Sequence, residues 1–460
     1  MSPLPPPYYN DDKRSFAYPT VHKRWPTIIQ GAIDDVQQTI EDEGQSHPEI
    51  RESGELILTQ LKQLLLDFQN DLVVRPFTEE EIDLNENLTH FNTTLAKLNT
   101  QRKVTWQTGP WLYLECYLYQ FVNNMFIGST AKFWHSFDVF YRLKTKTFKQ
   151  SELGVLELCK RYETLSKQLE KVQGDEETLY LLFTEFIDIS LWGNATDLSL
   201  LAGNVTLEDI KSVQGAEVRK QNEEKIIVND LQKAWQKSGL KENVGQGSTR
   251  VDFILDNSGF ELFADLILSL FLLDSQLAGE VHLHCKEIPW FVSDTMPKDF
   301  DDLLSQLDDH EFFAQIYKDD PKAIQLVSKK IHGYFKENKI IINHHPFWTL
   351  DYNYWAIPQF KDLYTELQKS NLIIFKGDLN YRKLTGDLQW PKTTPFSEAI
   401  QDLQNSGLTI LSLRTCKADV CVGLPNGLNE KLIKEYEEAG NEIGEFWSSS
   451  GKWAVISFNK

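Results

Sequence analysis

The sequence predicts an α/β protein: a mainly parallel sheet covered by helices on both faces, preceded by a large helical N-terminal region. Three observations carry that expectation. From about residue 249, short apolar runs alternate with stretches of helical spacing, the pattern of parallel strands joined by crossover helices. Before that point, from about residue 25 to about residue 241, apolar residues recur mainly at helical spacing. Finally, nearly every short apolar run ends on charged or amide residues, and in open α/β sheets ligands bind outside the carboxyl ends of the strands.

In chain order, residues 1–12 are Pro-rich and expected to be loose, and residues 13–248 form the helical region. Leu56, Leu58, Leu61, Leu64, Leu65 and Phe68 recur at helical spacing. The stretch 114–148 carries Tyr117, Leu118, Phe121, Met125, Phe126, Phe133, Phe137, Phe140 and Tyr141, read as core packing. Helices are expected over 152–171 and 176–191, and Asp230 is expected to N-cap a helix running through Trp235. Residues 249–460 form the α/β part. Strands are expected at 251–255, 281–285, 339–342, 372–375, 408–413 and 453–458, and helices at 259–273, 360–369, 395–404 and 430–438.

Composition limits the function classes. A chain of 460 residues holds roughly two or three domains and buries a large core. Its 41% hydrophobic and 25% charged content is that of a globular protein. A formal net charge of -20 argues against nucleic acid as a partner, because that affinity rests on basic groups. Any anion site must therefore be local. Five widely spaced cysteines do not read as a disulfide framework. The longest apolar run, 262–273, is broken by Asp265 and too short for a bilayer. With no signal segment at the start, the Asn-x-Ser/Thr sequons at Asn87, Asn92, Asn194 and Asn204 read as coincidental. The expected location is cytoplasmic, without a membrane partner.

The run ends carry the chemistry. Asp256-Asn257-Ser258-Gly259 follows the first α/β strand; its carboxylate and amide oxygens are hard ligands suited to Mg²⁺ or Mn²⁺. Gly259 lets the chain turn into the next helix. The ordinary alternative, that Asp256 and Asn257 only cap that helix, has equal weight on these residues alone. Ser258 stands where an aspartate-nucleophile phosphatase pattern needs a second Asp, and the single Gly259 excludes a dinucleotide fingerprint. In Lys376-Gly377-Asp378-Leu379-Asn380-Tyr381-Arg382, the Lys and Arg can meet phosphate oxygens; the alternative is a polar loop turning at Gly377. Arg414-Thr415-Cys416-Lys417 can cradle an oxyanion; the alternative is a solvated basic turn. His282 and His284 share one strand face without a third ligand, so packed or surface histidines are the better reading.

Together these segments resemble the damage-control phosphatase family, and within it the subfamily marked by an Arg-Thr-x-Lys motif; the chain is similar to fungal members. The matching stretches are Arg24-Trp25-Pro26, Leu191-Trp192-Gly193-Asn194-Ala195-Thr196-Asp197-Leu198-Ser199, residues 252–262, Ser293-Asp294, residues 376–385 and residues 414–417. The resemblance implies a phosphatase of small sugar phosphates, such as fructose 1-phosphate or fructose 6-phosphate, with one divalent metal ion (Mn²⁺, Co²⁺, Ni²⁺ or Mg²⁺). It implies Asp256, Asn257 and Asp294 as metal ligands. It implies Asp256 and Lys417 as catalytic groups, and a ligand site lined by Asp256, Asn257, Glu261, Asp378, Leu379, Asn380, Tyr381, Arg382, Arg414 and Lys417. The competing functions are an S-adenosylmethionine-dependent protein carboxyl (glutamate) O-methyltransferase, which lacks a Gly-rich loop after residues 251–255, and a non-enzymatic helical scaffold, against which the strand-end charges argue.

Overall fold

The computed structural model describes residues 3–172, 175–193 and 223–460. The resemblance segment 194–199 and the sequons at Asn194 and Asn204 lie outside the described residues.

Among the described residues, the six short apolar runs and residues 226–229 become seven strands of one sheet. They are β1 (Ile226–Asn229), β2 (Arg250–Ile254), β3 (Glu280–Cys285), β4 (Ile340–His344), β5 (Leu372–Lys376), β6 (Ile410–Thr415) and β7 (Ala454–Asn459). Their order is β1-β7-β6-β5-β2-β3-β4. All pairs are parallel except β6 with β7. The α/β class with a mainly parallel sheet is thus the observed one.

Strand periodicity sorts the core into two layers. Val251, Phe253 and Leu255 enter one cluster with Val281, Leu283, Ile374, Leu411 and Ile456. That face is covered by the helices Glu152–Ser166, Glu176–Trp192, Phe260–Asp274 and Lys322–Lys336. Ile254, Ile373, Phe375, Ile410 and Val455 point the other way, against Trp348, Tyr354, Leu384, Phe396 and Trp447. The helix Phe260–Asp274 is buried along nearly its whole length, which explains an apolar run that is not amphipathic. A third cluster holds the N-terminal helices Trp25–Glu43, Pro48–Gln69 and Trp111–Ile127, together with Trp290, Phe291, Leu379 and Ala418 from the α/β part.

Several elements differ from expectation. Residues 226–229, inside the stretch expected to be helical, form an edge strand paired with β7; four residues are too few for periodicity to separate strand from helix. The N-terminal residues expected to be loose make β-bridges, Pro7 to Leu388 and Tyr9 to Pro110. The stretch 114–148 is two helices, Trp111–Ile127 and Tyr141–Gln150, separated by a 3₁₀ turn at Lys132–Ser136. Residues 395–404 fold as a short helix, Phe396–Ala399, and a 3₁₀ turn, Gln401–Asn405. Asp230 stands before the helix Leu231–Lys237 but makes no cap hydrogen bond; its Oδ2 accepts from the Phe458 N–H at 3.2 Å. Most consequential for the site, residues 377–385 form the helix Gly377–Thr385, which follows β5 directly.

Candidate functional site at the carboxyl edge of the sheet

β2 lies between β5 and β3 in the sheet. The chain winds from β2 outward through β3 to β4, then returns to β5 on the other side of β2. Between β2 and β5 the winding reverses, and the strand ends there leave a crevice, the position where open α/β sheets bind ligands. A cleft of ≈ 470 Å³ opens at this edge, lined by Asn257, Ser258, Gly259, Glu261, Ser293 and Lys417, with Lys144, Phe148 and Val292 among its walls.

β2 delivers Asp256 and Asn257. The chain then turns at Gly259, φ +66°, a conformation that suits glycine, into the helix that carries Glu261. Asp294 is brought in by a loop that doubles back from β3. The Lys286 N–H donates to Thr295 O at 2.8 Å, Thr295 N–H to Asp256 O at 2.8 Å and Ser258 N–H to Ser293 O at 2.7 Å. These bonds set Asp294 opposite Asn257 in an isolated antiparallel bridge. Phe291 and Val292 make the reversal at φ 45° and 73°, sparsely populated for such residues. The loop is anchored by stacking of Phe291 on Tyr119, 5.0 Å between ring centroids, and by Lys144 Nζ donating to Asp294 O at 3.2 Å.

Beside the cleft, which Glu261 lines, lies a buried excess of carboxylates. Asp256, Glu261 and Asp294 are all buried. Burial, together with the charges of Glu261 and Asp294, pushes the Asp256 carboxyl well above the usual range, against the opposing charges of Lys286 and Lys417. Burial raises Asp294 to about 6, opposed chiefly by Lys286. Two buried lysines hold the flanking acids. Lys286 Nζ donates to Leu255 O at 2.6 Å and pairs with Asp294 Oδ2 at 3.2 Å. Lys376 Nζ donates to Ser190 O at 2.7 Å and pairs with Asp265 at 2.9 Å and Glu261 at 3.4 Å.

The donor set fits a hard divalent cation. Asn257 Nδ2 donates to Asp256 Oδ2 at 3.0 Å and to Glu261 Oε2 at 2.7 Å, so a partly positive group sits between the two carboxylates. A half-turn of the amide presents Oδ1 to that point instead. Ser293 Oγ, 2.5 Å from the amide, can donate to one face or accept from the other. Among the described residues, no group of three or more His, Cys, Asp or Glu side chains is arranged to hold a metal; the set here is two carboxylates and an amide.

The remaining expected residues divide sharply. Lys417 lines the cleft and its charge acts on Asp256. Asp378, Leu379, Asn380, Tyr381, Arg382 and Arg414 do not present free side chains to it. Arg382 is buried on the face of Trp111, 3.8 Å from the ring centroid. It donates to Glu115 at 3.0 Å and Asp387 at 2.9 Å. Arg414 is buried and donates to Asp378 at 2.7 Å, Ala418 O at 3.0 Å and Val420 O. Asn380 Nδ2 donates to Lys376 O, Leu255 O and Ile254 O at 2.7, 3.0 and 3.1 Å, while its Oδ1 accepts from Tyr354 at 2.6 Å. Tyr381 Oη accepts the Val422 N–H at 3.0 Å, and Leu379 packs into the N-terminal core. The expected phosphate contacts of Lys376 and Arg382 are thus replaced by buried ion pairs. His284 Nε2–H donates to the Asp252 carboxylate at 2.8 Å and His282 meets Asn343 at 2.9 Å, so the two share no ligand position. Lys144, Lys286 and Ser293 join the site as well; the sequence marks Lys286 only as the first charged residue beyond β3 and Ser293 only by the resemblance.

Residues 20–432 match the damage-control phosphatase ARMT1-like domain. The damage-control phosphatase ARMT1 of Macaca fascicularis is 36% identical, over 100% of this chain and 99% of that protein. The Homo sapiens protein of the same name is 35% identical over the same shares, and that of Bos taurus is 35% identical over 97% of each. A DUF89 family protein from Pyrococcus horikoshii aligns over 83% of this chain and 94% of its own, at 15% identity and a TM-score of 0.31. The chain belongs to the ARMT1-like damage-control phosphatase family.

Proposed function

We propose that this chain is a metal-dependent phosphomonoester hydrolase acting on small sugar phosphates of the fructose 1-phosphate or fructose 6-phosphate type, and that it clears damaging or surplus phosphometabolites. The observation that carries the reading is the buried carboxylate cluster of Asp256, Glu261 and Asp294 beside a cleft that Lys417 lines. Asp256, Asn257 and Asp294 are the residues to hold one divalent cation. Bound there, such an ion supplies Lewis-acid polarisation and neutralises phosphate charge. Lys417, on the cleft lining, binds the phosphate as a preorganised point charge. Glu261 accepts from the Asn257 Nδ2–H at 2.7 Å, a bond that gives way when the amide turns its Oδ1 to the cation. Phe148 and Val292 shed water from the cleft wall, and a volume of ≈ 470 Å³ suits a small ligand.

The test is a panel of phosphate esters turned over by protein dialysed against EDTA, before and after adding Mn²⁺, Co²⁺, Ni²⁺ or Mg²⁺. Fructose phosphates should be inert without metal and be hydrolysed on its return. Undiminished turnover in EDTA overturns metal dependence.

A further inference from the structure

The turn that joins β5 to the helix Gly377–Thr385 touches both charged poles of the cleft. Gly377 has φ +77°, in the left-handed region where a side chain strains the backbone. A Cβ built on it would lie 1.9 Å from Asp256 Oδ2, 2.3 Å from Cγ and 2.7 Å from Cβ. The turn therefore needs glycine for two separate reasons. The backbone conformation is one. The other is that the Asp256 side chain occupies the volume any other residue would fill.

The next residue reaches the opposite pole. Asp378 Oδ1 accepts the Lys417 N–H at 2.9 Å and the Arg414 Nε–H at 2.7 Å. Arg414 spends its other donors on Ala418 O and Val420 O, so the loop that carries Lys417 is gathered around the Asp378 carboxylate. Asn380, two residues after Asp378 in the same helix, ties Ile254 O and Leu255 O, directly before Asp256. One short segment thus registers the end of β2 against the loop after β6, although β5 separates those strands in the sheet.

We propose that Gly377 and Asp378 are a positioning pair that sets the Asp256 carboxylate and Lys417 against each other. Gly377 does so by leaving room for Asp256, and Asp378 by holding the backbone of Lys417. Asp378 then acts on the site through Lys417. The metal and kinetic arms of the test rest on the phosphatase reading; the stability arm does not.

The stability arm is a double-mutant cycle. Gly377→Ala is made in the native protein and in an Asp256→Gly background, which removes all three close contacts, and melting temperatures are compared. The drop should be large in the native background and smaller beside Asp256→Gly, where only the backbone strain remains. Folding of the double variant when Gly377→Ala alone fails to fold is the same result in stronger form. Equal drops in both backgrounds, or failure of both variants to fold, overturn the role of Gly377. In calorimetry with Mn²⁺ alone, Gly377→Ala should weaken metal binding about 10–100-fold; unchanged affinity overturns the proposal.

The second arm reads Asp378. Asp378→Ala should raise KM for a fructose phosphate about tenfold and leave Mn²⁺ affinity unchanged. Asp378→Asn keeps an Oδ1 acceptor for the Lys417 N–H and should recover most of the loss. An Asn variant as impaired as the Ala variant overturns the positioning role. A native protein that binds no Mn²⁺ and hydrolyses nothing overturns the phosphatase reading, and the melting cycle still decides Gly377.

Discussion

The acids beside the cleft are distinguished by what holds them. Asp294 has Lys286 at 3.2 Å, Glu261 has Lys376 at 3.4 Å, and Asp256 takes the Asn257 amide at 3.0 Å. Asp256 feels both neighbouring negative charges. Its replacement by Ala should therefore abolish metal binding and phosphatase turnover while the fold survives, read by calorimetry, kinetics and circular dichroism. Turnover by Asp256→Ala in metal-free buffer would sink the reading. Lys417 also lines the cleft, just beyond the end of a strand far along the chain. Lys417→Ala should leave metal affinity nearly unchanged and lower kcat/KM about a hundredfold or more, on the order of 2–4 kcal/mol for a lost preorganised charge contact. Lys417→Arg should rescue only in part, since a planar fork does not reproduce a compact ammonium. Equal loss of metal affinity in Lys417→Ala and Asp256→Ala would show that Lys417 is structural.

β2 carries charges that pair within the strand and with its neighbours: Arg250 also pairs with Glu366 at 2.6 Å. Asp252 is buried and accepts from Arg250 Nε at 2.7 Å and pairs with His284 at 2.8 Å. Burial alone raises a carboxyl, but the hydrogen bonds from Arg250 and His284 outweigh it and hold Asp252 at about 2. With the folded-state value below the unfolded one, the group's stabilisation is complete above about pH 4 and is lost as pH falls toward about 2. Asp252→Asn should flatten the acid limb of the stability curve in that window, measured by urea unfolding at successive pH values. An unchanged acid limb would remove Asp252 from the account. The doubled-back loop after β3 is the second telling element. Phe291 anchors it on Tyr119, so Phe291→Ala should free Asp294 and weaken metal binding about 10–100-fold, though Phe291 touches no ligand atom. Calorimetry with unaltered affinity would show that the backbone hydrogen bonds alone suffice.

Across the whole molecule, the N-terminal helices form part of the frame of the site. Trp25 Nε1 donates to Glu115 at 3.2 Å, and Glu115 accepts from Arg382 at 3.0 Å, which joins the first helices to the helix after β5. Lys144 from the helix Tyr141–Gln150 reaches Asp294 O. Around this frame the net charge is -20, a field that opposes large anions and leaves the local lysines to attract small ones. In a substrate panel, fructose phosphates should therefore lead and nucleotides and phosphoproteins trail. Nucleotides in first place would overturn that order. Among the described residues, no helix is long and apolar enough to cross a membrane.

Six of the seven strands, the cover of helices and the strand-end position of Asp256 and Asn257 were legible in the sequence, because burial on both faces leaves continuous apolar runs and open α/β sheets put ligands at carboxyl edges. The edge strand β1 was not, since four residues carry no usable period. Arg382 and Arg414 looked like phosphate contacts because local sequence records charge and not its partner. Glu115 and Asp387 claim the first, and Asp378 with the 418–420 carbonyls the second. Asp294 was placed by family resemblance alone, since it reaches Asn257 through a loop reversal that spacing along the chain does not encode. Local patterning, then, determined which elements form and which edge bears chemistry. Tertiary structure decided which charges face the cleft, because every buried ion must find a partner, and those partners come from strands and helices far apart in the chain.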